Sequence, residues 1–188
     1  NNQKTVMRKI TLVLALVAAT VAANAQSDIK NNAIKLNPLS LALMTGNVSY
    51  ERAVGANQSI QVGVFYSGVS LSGLKYSGLG ITPEYRIYFA GKKEALNGVY
   101  VAPYARYQNF SLKDKETEDK ATYSSIGGGA VIGWQKMWPS GFTLDLFAGP
   151  GYNGGKVKTD SNSEDEFDVK AGISGFGFRT GLTIGFGF

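Results

Sequence analysis

The chain has 188 residues, with 24 Gly, 5 Pro, no Cys, no His, a net charge of +5, and 12% aromatic and 18% charged residues. The charged fraction is below the roughly 25% of ordinary soluble domains. The missing His excludes Ser-His-Asp, Cys-His and His-metal chemistry. The missing Cys excludes disulfides, thiolate catalysis, zinc–thiolate sites and a lipid-modified amino-terminal Cys.

Met7-Arg8-Lys9 opens a short basic region, and Ile10–Ala23 is an almost unbroken apolar run. Ala23-Asn24-Ala25 then places small residues at both cleavage-determining positions. This is the three-part pattern of a secretory signal peptide, expected over residues 1–25. The run is too short for a comfortable helical span, which takes about 20 apolar residues. Asn1–Val6 precede Met7 and read as residues ahead of the start. Removing the first 25 residues takes away Lys4, Arg8 and Lys9 and leaves 16 basic against 14 acidic residues. The high isoelectric point is therefore partly a property of the leader, and no nucleic-acid partner is inferred from it.

Residues 26–188 read as one domain of alternating strands. The pattern predicts eight: Ala33–Leu43 with a bulge near Pro38, Val48–Val54, Ser59–Tyr66, Ser77–Phe89, Val99–Phe110, Ser124–Gln135, Phe142–Tyr152 and Val169–Phe188. Connections at 55–58, 90–98 and 136–141 are fairly short. Those at 67–76, 111–120 and 153–168 are longer and polar. Strands of about ten residues, with long loops gathered at one end, are the sequence mark of a transmembrane β-barrel. The expected fold class is all-β, an eight-stranded antiparallel up-and-down transmembrane barrel.

One face of each strand is aliphatic in its middle, with aromatic residues such as Tyr66, Phe89, Trp134 and Phe142 near several ends. That suits a lipid-facing band with interfacial girdles. The other face carries Gly, hydroxyl, aromatic and charged residues, the reverse of a soluble barrel with a greasy lumen. Glu51, Glu84 and Asp145 are expected inward, as are Arg86, Arg106 and Arg179. Three acids match three bases, and the cost of a lone buried charge predicts a charge-paired plug in a lumen too narrow for a wide channel. The alternatives are a narrow channel for ions or very small solutes, and a secreted soluble ligand-binding barrel or β-sandwich.

The last strand alternates to its final residue, with Ile184, Phe186 and Phe188 on one face. This resembles the terminal signal by which bacterial outer-membrane barrels are recognised by their assembly machinery. The stretches Lys35–Ser40, Asn47–Arg52 (with Ser49-Tyr50-Glu51-Arg52), Gly80–Arg86 (with Pro83-Glu84-Tyr85-Arg86) and Tyr100–Tyr107 resemble a group of small outer-membrane barrel proteins of Gram-negative bacteria whose function is unknown. The resemblance implies an architecture similar to OmpX and to the membrane domain of OmpA, with location in the cell outer membrane. It implies no reaction and no established ligand.

Remaining motifs carry little chemistry. Gly127-Gly128-Gly129 lacks the Lys-Ser/Thr and helix of a phosphate loop. Asp160–Glu166 lacks the sixth-position Gly and closing Glu of a calcium loop and reads as a solvated acidic loop. Lys113–Lys120 reads as a surface loop that touches lipopolysaccharide phosphates through its lysines. The expectation is therefore a monomeric, non-enzymatic barrel with a structural or surface-interaction role. It has no cofactor and no metal, and its partners are outer-membrane lipid, lipopolysaccharide and the barrel assembly machinery.

Overall fold

A computed structural model describes residues 30–42, 44–71, 74–89, 95–114, 120–159 and 175–188. The signal peptide expected over residues 1–25 and the acidic segment Asp160–Glu166 lie outside the described residues. So do residues 115–119 of the mixed-charge loop.

Eight strands follow one another in chain order and close on themselves: β1 (Asn32–Leu36), β2 (Thr45–Gly55), β3 (Gln58–Leu71), β4 (Leu74–Tyr88), β5 (Gly98–Asp114), β6 (Lys120–Met137), β7 (Phe142–Thr159) and β8 (Gly175–Gly187). Every neighbouring pair is antiparallel, and β1 seals the cylinder by pairing with both β2 and β8. The period-2 alternation favours this: each strand presents one apolar row and one mixed row, and closure pairs β1 with the end of β8 from Ile184 to Gly187.

The first predicted strand is corrected. It stops at Leu36, and a short helix, α1 (Pro38–Ala42), replaces the expected bulged continuation to residue 43. Asn37 caps that helix, its Oδ1 accepting from the Ser40 N–H at 3.1 Å. Pro38 takes the first helical position, where its missing N–H costs nothing. Two predicted loops are also shorter than expected. β3 and β4 remain paired to Leu71↔Leu74, and β5 and β6 to Lys113↔Lys120. Strand pairing consumes residues whose polarity suggested loops, because long hairpins continue the ladder beyond the apolar band.

Both ends of the described chain meet at the short-turn end. Asn32 and Phe188 exchange backbone hydrogen bonds of 3.0 and 2.9 Å. Ala95, in the connection after β4, is tied to this end by its N–H, which donates to the Ala56 carbonyl at 2.8 Å. Leu96 is buried there with a left-handed φ of 68°, and its carbonyl accepts from Gln135 Nε2 at 3.0 Å. A bulky residue rarely adopts that conformation, and here packing and the Gln135 bond hold it.

Inside the cylinder, aromatic rings lie flat across strand glycines. Phe65 is paired with Gly80, Tyr100 with Gly133 and Phe147 with Gly181. A Cβ at Gly133 would clash with the hydroxyl end of the Tyr100 ring. Gly133→Ala is therefore expected to cost about 1–3 kcal/mol by overpacking, read from urea unfolding in micelles by Trp fluorescence. Gly177→Ala, where a Cβ meets no described atom within 4 Å, should leave the midpoint in place.

Candidate functional site

The candidate site is the lumen, and it assembles from inward positions on all eight strands. Glu51 of β2 is the first centre. Its Oε1 accepts from Ser59 Oγ at 2.5 Å and from the Tyr88 hydroxyl at 2.6 Å, and its Oε2 accepts from Lys35 Nζ at 2.6 Å. Asp145 of β7 is the second. Its Oδ1 accepts from the Tyr100 hydroxyl at 2.8 Å, and its Oδ2 from Lys35 Nζ at 3.0 Å and Arg86 Nη1 at 2.8 Å.

Arg86 of β4 ties these to a third carboxylate. Its Nε and Nη2 reach Glu84 Oε2 at 3.2 and 3.0 Å, while Nη1 also lies 3.5 Å from Glu51 Oε2. The guanidinium carbon sits 4.3 Å from the centroid of the Tyr100 ring. A planar fork with five donors is the side chain that meets three acids at once. Gln135 completes the cluster, its Oε1 accepting from Lys35 at 2.6 Å and from Arg86 at 3.2 Å. Lys35, Glu51, Arg86 and Asp145 have no solvent exposure.

A second layer lies on the loop side. Arg179 Nη2 donates to Glu84 Oε1 at 2.5 Å, with its guanidinium 4.7 Å from the Tyr104 ring and 4.6 Å from the Phe147 ring. Arg106 Nε donates to Thr82 Oγ1 at 3.2 Å. Among the described residues Arg106 forms no ion pair with a carboxylate.

Of the six charged residues named from the sequence, the structure thus joins Glu51, Glu84, Arg86, Asp145 and Arg179 in one network and places Arg106 beside it. The three-against-three count is corrected. Lys35 also points inward, so among the described residues four cations face three acids. Lys35 is not legible from the alternation, because the pattern of the first strand changes phase around Pro38. Tyr88, Tyr100 and Gln135 also belong to the network, and alternation from Arg86 places Tyr88 on the same face. All six carboxylate oxygens accept at least one hydrogen bond. Such an arrangement holds strands together, and it commits each acid to cationic or hydroxyl donors.

The carboxy-terminal residues Ile184 and Phe186 face outward, paired with Leu36 and Ile34 of β1 and with Leu144 and Phe142 of β7. Phe188 is buried at the short-turn end. Gly127, Gly128 and Gly129 lie within β6 and face neighbouring strands. Among the described residues no group of three or more acidic side chains is placed to hold a metal ion.

The family model described as protein of unknown function (DUF3575) matches residues 10–186, nearly the whole chain, and the chain belongs to that family. No curated protein matches it.

Proposed function

We propose that this member of the DUF3575 family is a small integral barrel of the bacterial outer membrane, its lumen plugged by the charge network and its role structural or surface-interacting. One observation carries the reading: grease is outside and charge is inside. Leu79, Ile81 and Ile132 are 55%, 44% and 57% exposed, whereas Glu51, Arg86 and Asp145 are enclosed. Water is a poor solvent for such an exterior, since monomeric soluble proteins rarely expose a contiguous apolar belt. Lipid is a good one, because a closed barrel satisfies its backbone internally.

Aromatic residues flank the belt. Trp134, Phe142 and Phe89 lie towards the short-turn end, and Tyr66, Tyr107 and Tyr152 towards the other. Their amphipathic rings suit the two headgroup regions. The resemblance to OmpX supports the same architecture. On this reading residues 1–25 are the export signal, the terminal Ile184, Phe186 and Phe188 are read by the assembly machinery, and the barrel is a monomer in lipid and lipopolysaccharide. The packed, unexposed charge cluster supports a plug over a conducting path.

Cell fractionation and a detergent gel test this directly. The protein is expected in the outer-membrane fraction and to need detergent for extraction. The unheated band should migrate differently from the heated one, because a folded barrel resists detergent unfolding. A protein recovered in the soluble periplasm without detergent, with one gel mobility, overturns the proposal.

A further inference from the structure

Gln61 Oε1 of β3 and Arg179 Nη1 and Thr183 Oγ1 of β8 are buried atoms with no hydrogen-bond partner among the protein's own groups. Gln61 is 3% exposed and Thr183 7%, so bulk water does not serve them. A buried polar atom left unmatched forfeits its hydration, and such atoms are nearly always satisfied by protein or by ordered water. Among the described residues Ser125 Oγ is the other atom of this kind, and it stands apart on β6.

Gln61, Arg179 and Thr183 all line one lumen cavity of about 30 Å³. A water molecule needs roughly 10–15 Å³ and two to four polar partners, so the space holds one or two. The lining selects against ions of either sign. An anion would face the Glu84 carboxylate and the Gln61 carbonyl oxygen, and a metal cation would face the guanidiniums of Arg106 and Arg179. Water both donates and accepts. Its hydrogens suit Gln61 Oε1, its oxygen suits Arg179 Nη1, and the Thr183 hydroxyl serves either way.

The position in the wall gives such a bridge a role. β8 pairs with β1 only from Ile184 to Gly187. Among the described residues, no strand pairs with that edge of β8 from residue 175 to 183, the stretch that carries both Arg179 and Thr183. A bridge to Gln61 passes over β1 and β2 and reaches β3 through the lumen.

We infer that this cavity binds one or two enclosed water molecules, which donate to Gln61 Oε1, accept from Arg179 Nη1 and hydrogen-bond the Thr183 hydroxyl, tying β8 to β3 where β1 supplies no strand. A water-mediated bond is nearly as good in enthalpy as a direct one. The inference concerns the lumen alone and goes beyond the membrane reading without depending on it.

Gly63 supplies the test. It lines the cavity, and an added Cβ there meets nothing nearer than the Thr82 carbonyl oxygen at 3.7 Å and the Ser49 Cβ at 3.8 Å. The methyl of Gly63→Ala therefore enters without a clash and takes up the space. In a dry cavity it gains contacts and restricts the unfolded chain, and both raise stability. In a hydrated one it expels water and leaves three polar atoms unmatched. Oxygen-17 relaxation dispersion of the barrel folded in micelles counts long-lived waters through their oxygen, so exchanging hydroxyl and guanidinium protons do not contribute. The dispersion amplitude is expected to fall by one or two waters in Gly63→Ala, and its urea midpoint to fall below wild type. An unchanged amplitude with a raised midpoint overturns the inference. Diffraction from the wild-type barrel decides the matter if the variant fails to fold. Density within hydrogen-bond distance of at least two of the three atoms is expected, and a cavity without it, where other enclosed waters are resolved, overturns the inference.

Discussion

Replacing Arg86 with Leu is expected to lower the stability of the barrel by about 3–5 kcal/mol, the usual penalty for stripping one partner from a buried ion cluster. The geometry says why the loss sits at the high end. Among the described residues Arg86 is the one side chain that contacts Glu51, Glu84 and Asp145 together. Without it, Glu51 and Asp145 must share the single Lys35 ammonium, and Glu84 keeps only Arg179. The leucine leaves these acids in a cavity without solvent to replace the lost donors. The Tyr100 ring also loses the cation stacked on it. Urea titration in micelles, followed by gel mobility, measures the change. Arg86→Lys should recover part of it, since an ammonium restores the charge but cannot reach both Glu84 and Asp145 as a planar fork does. A midpoint for Arg86→Leu equal to wild type would mean that the cluster contributes nothing to holding the strands.

The second large effect lies on the opposite face of the wall. On the proposed membrane placement, Ile81→Arg is expected to destabilise the folded barrel in bilayers by about 2 kcal/mol, as a cation on the lipid face of a transmembrane barrel does away from the interfaces. Ile81 lies outward, beside Val64 of β3 and Tyr107 of β5. Phe89→Arg, at the girdle, should cost about 0–1 kcal/mol, because the long side chain reaches water there. The comparison between the two positions carries the inference. In a water-soluble barrel both substitutions would replace exposed apolar surface by charge and would be neutral or favourable for solubility. Equal, near-zero costs at the two sites would therefore overturn the lipid-facing assignment of the belt.

Much of this was legible in the residues themselves. Alternation in Leu79–Phe89 and in Phe176–Phe188 fixes a strand and divides its two faces, because successive side chains of an extended chain must point opposite ways. The inward direction of Glu84, Arg86, Asp145 and Arg179 follows from that local rule. The helix start at Asn37-Pro38 was also legible as a cap followed by a proline at the first helical position. The alternation on either side concealed it, and with it the phase that turns Lys35 inward.

What the sequence determined by itself was the sidedness of each strand, since a repeat of two is a property of the backbone alone. What only the tertiary structure decided was which inward groups meet. Lys35 and Asp145 are 110 residues apart and touch at 3.0 Å. That contact depends on the register of every hairpin between them and on the closure of β1 against β8. The same holds for the edge of β8 from residue 175 to 183, which no described strand pairs because β1 ends while its neighbours continue. Local patterning carries no information about such stagger, because register is a sum of pairings around the whole cylinder and is settled only when the cylinder closes.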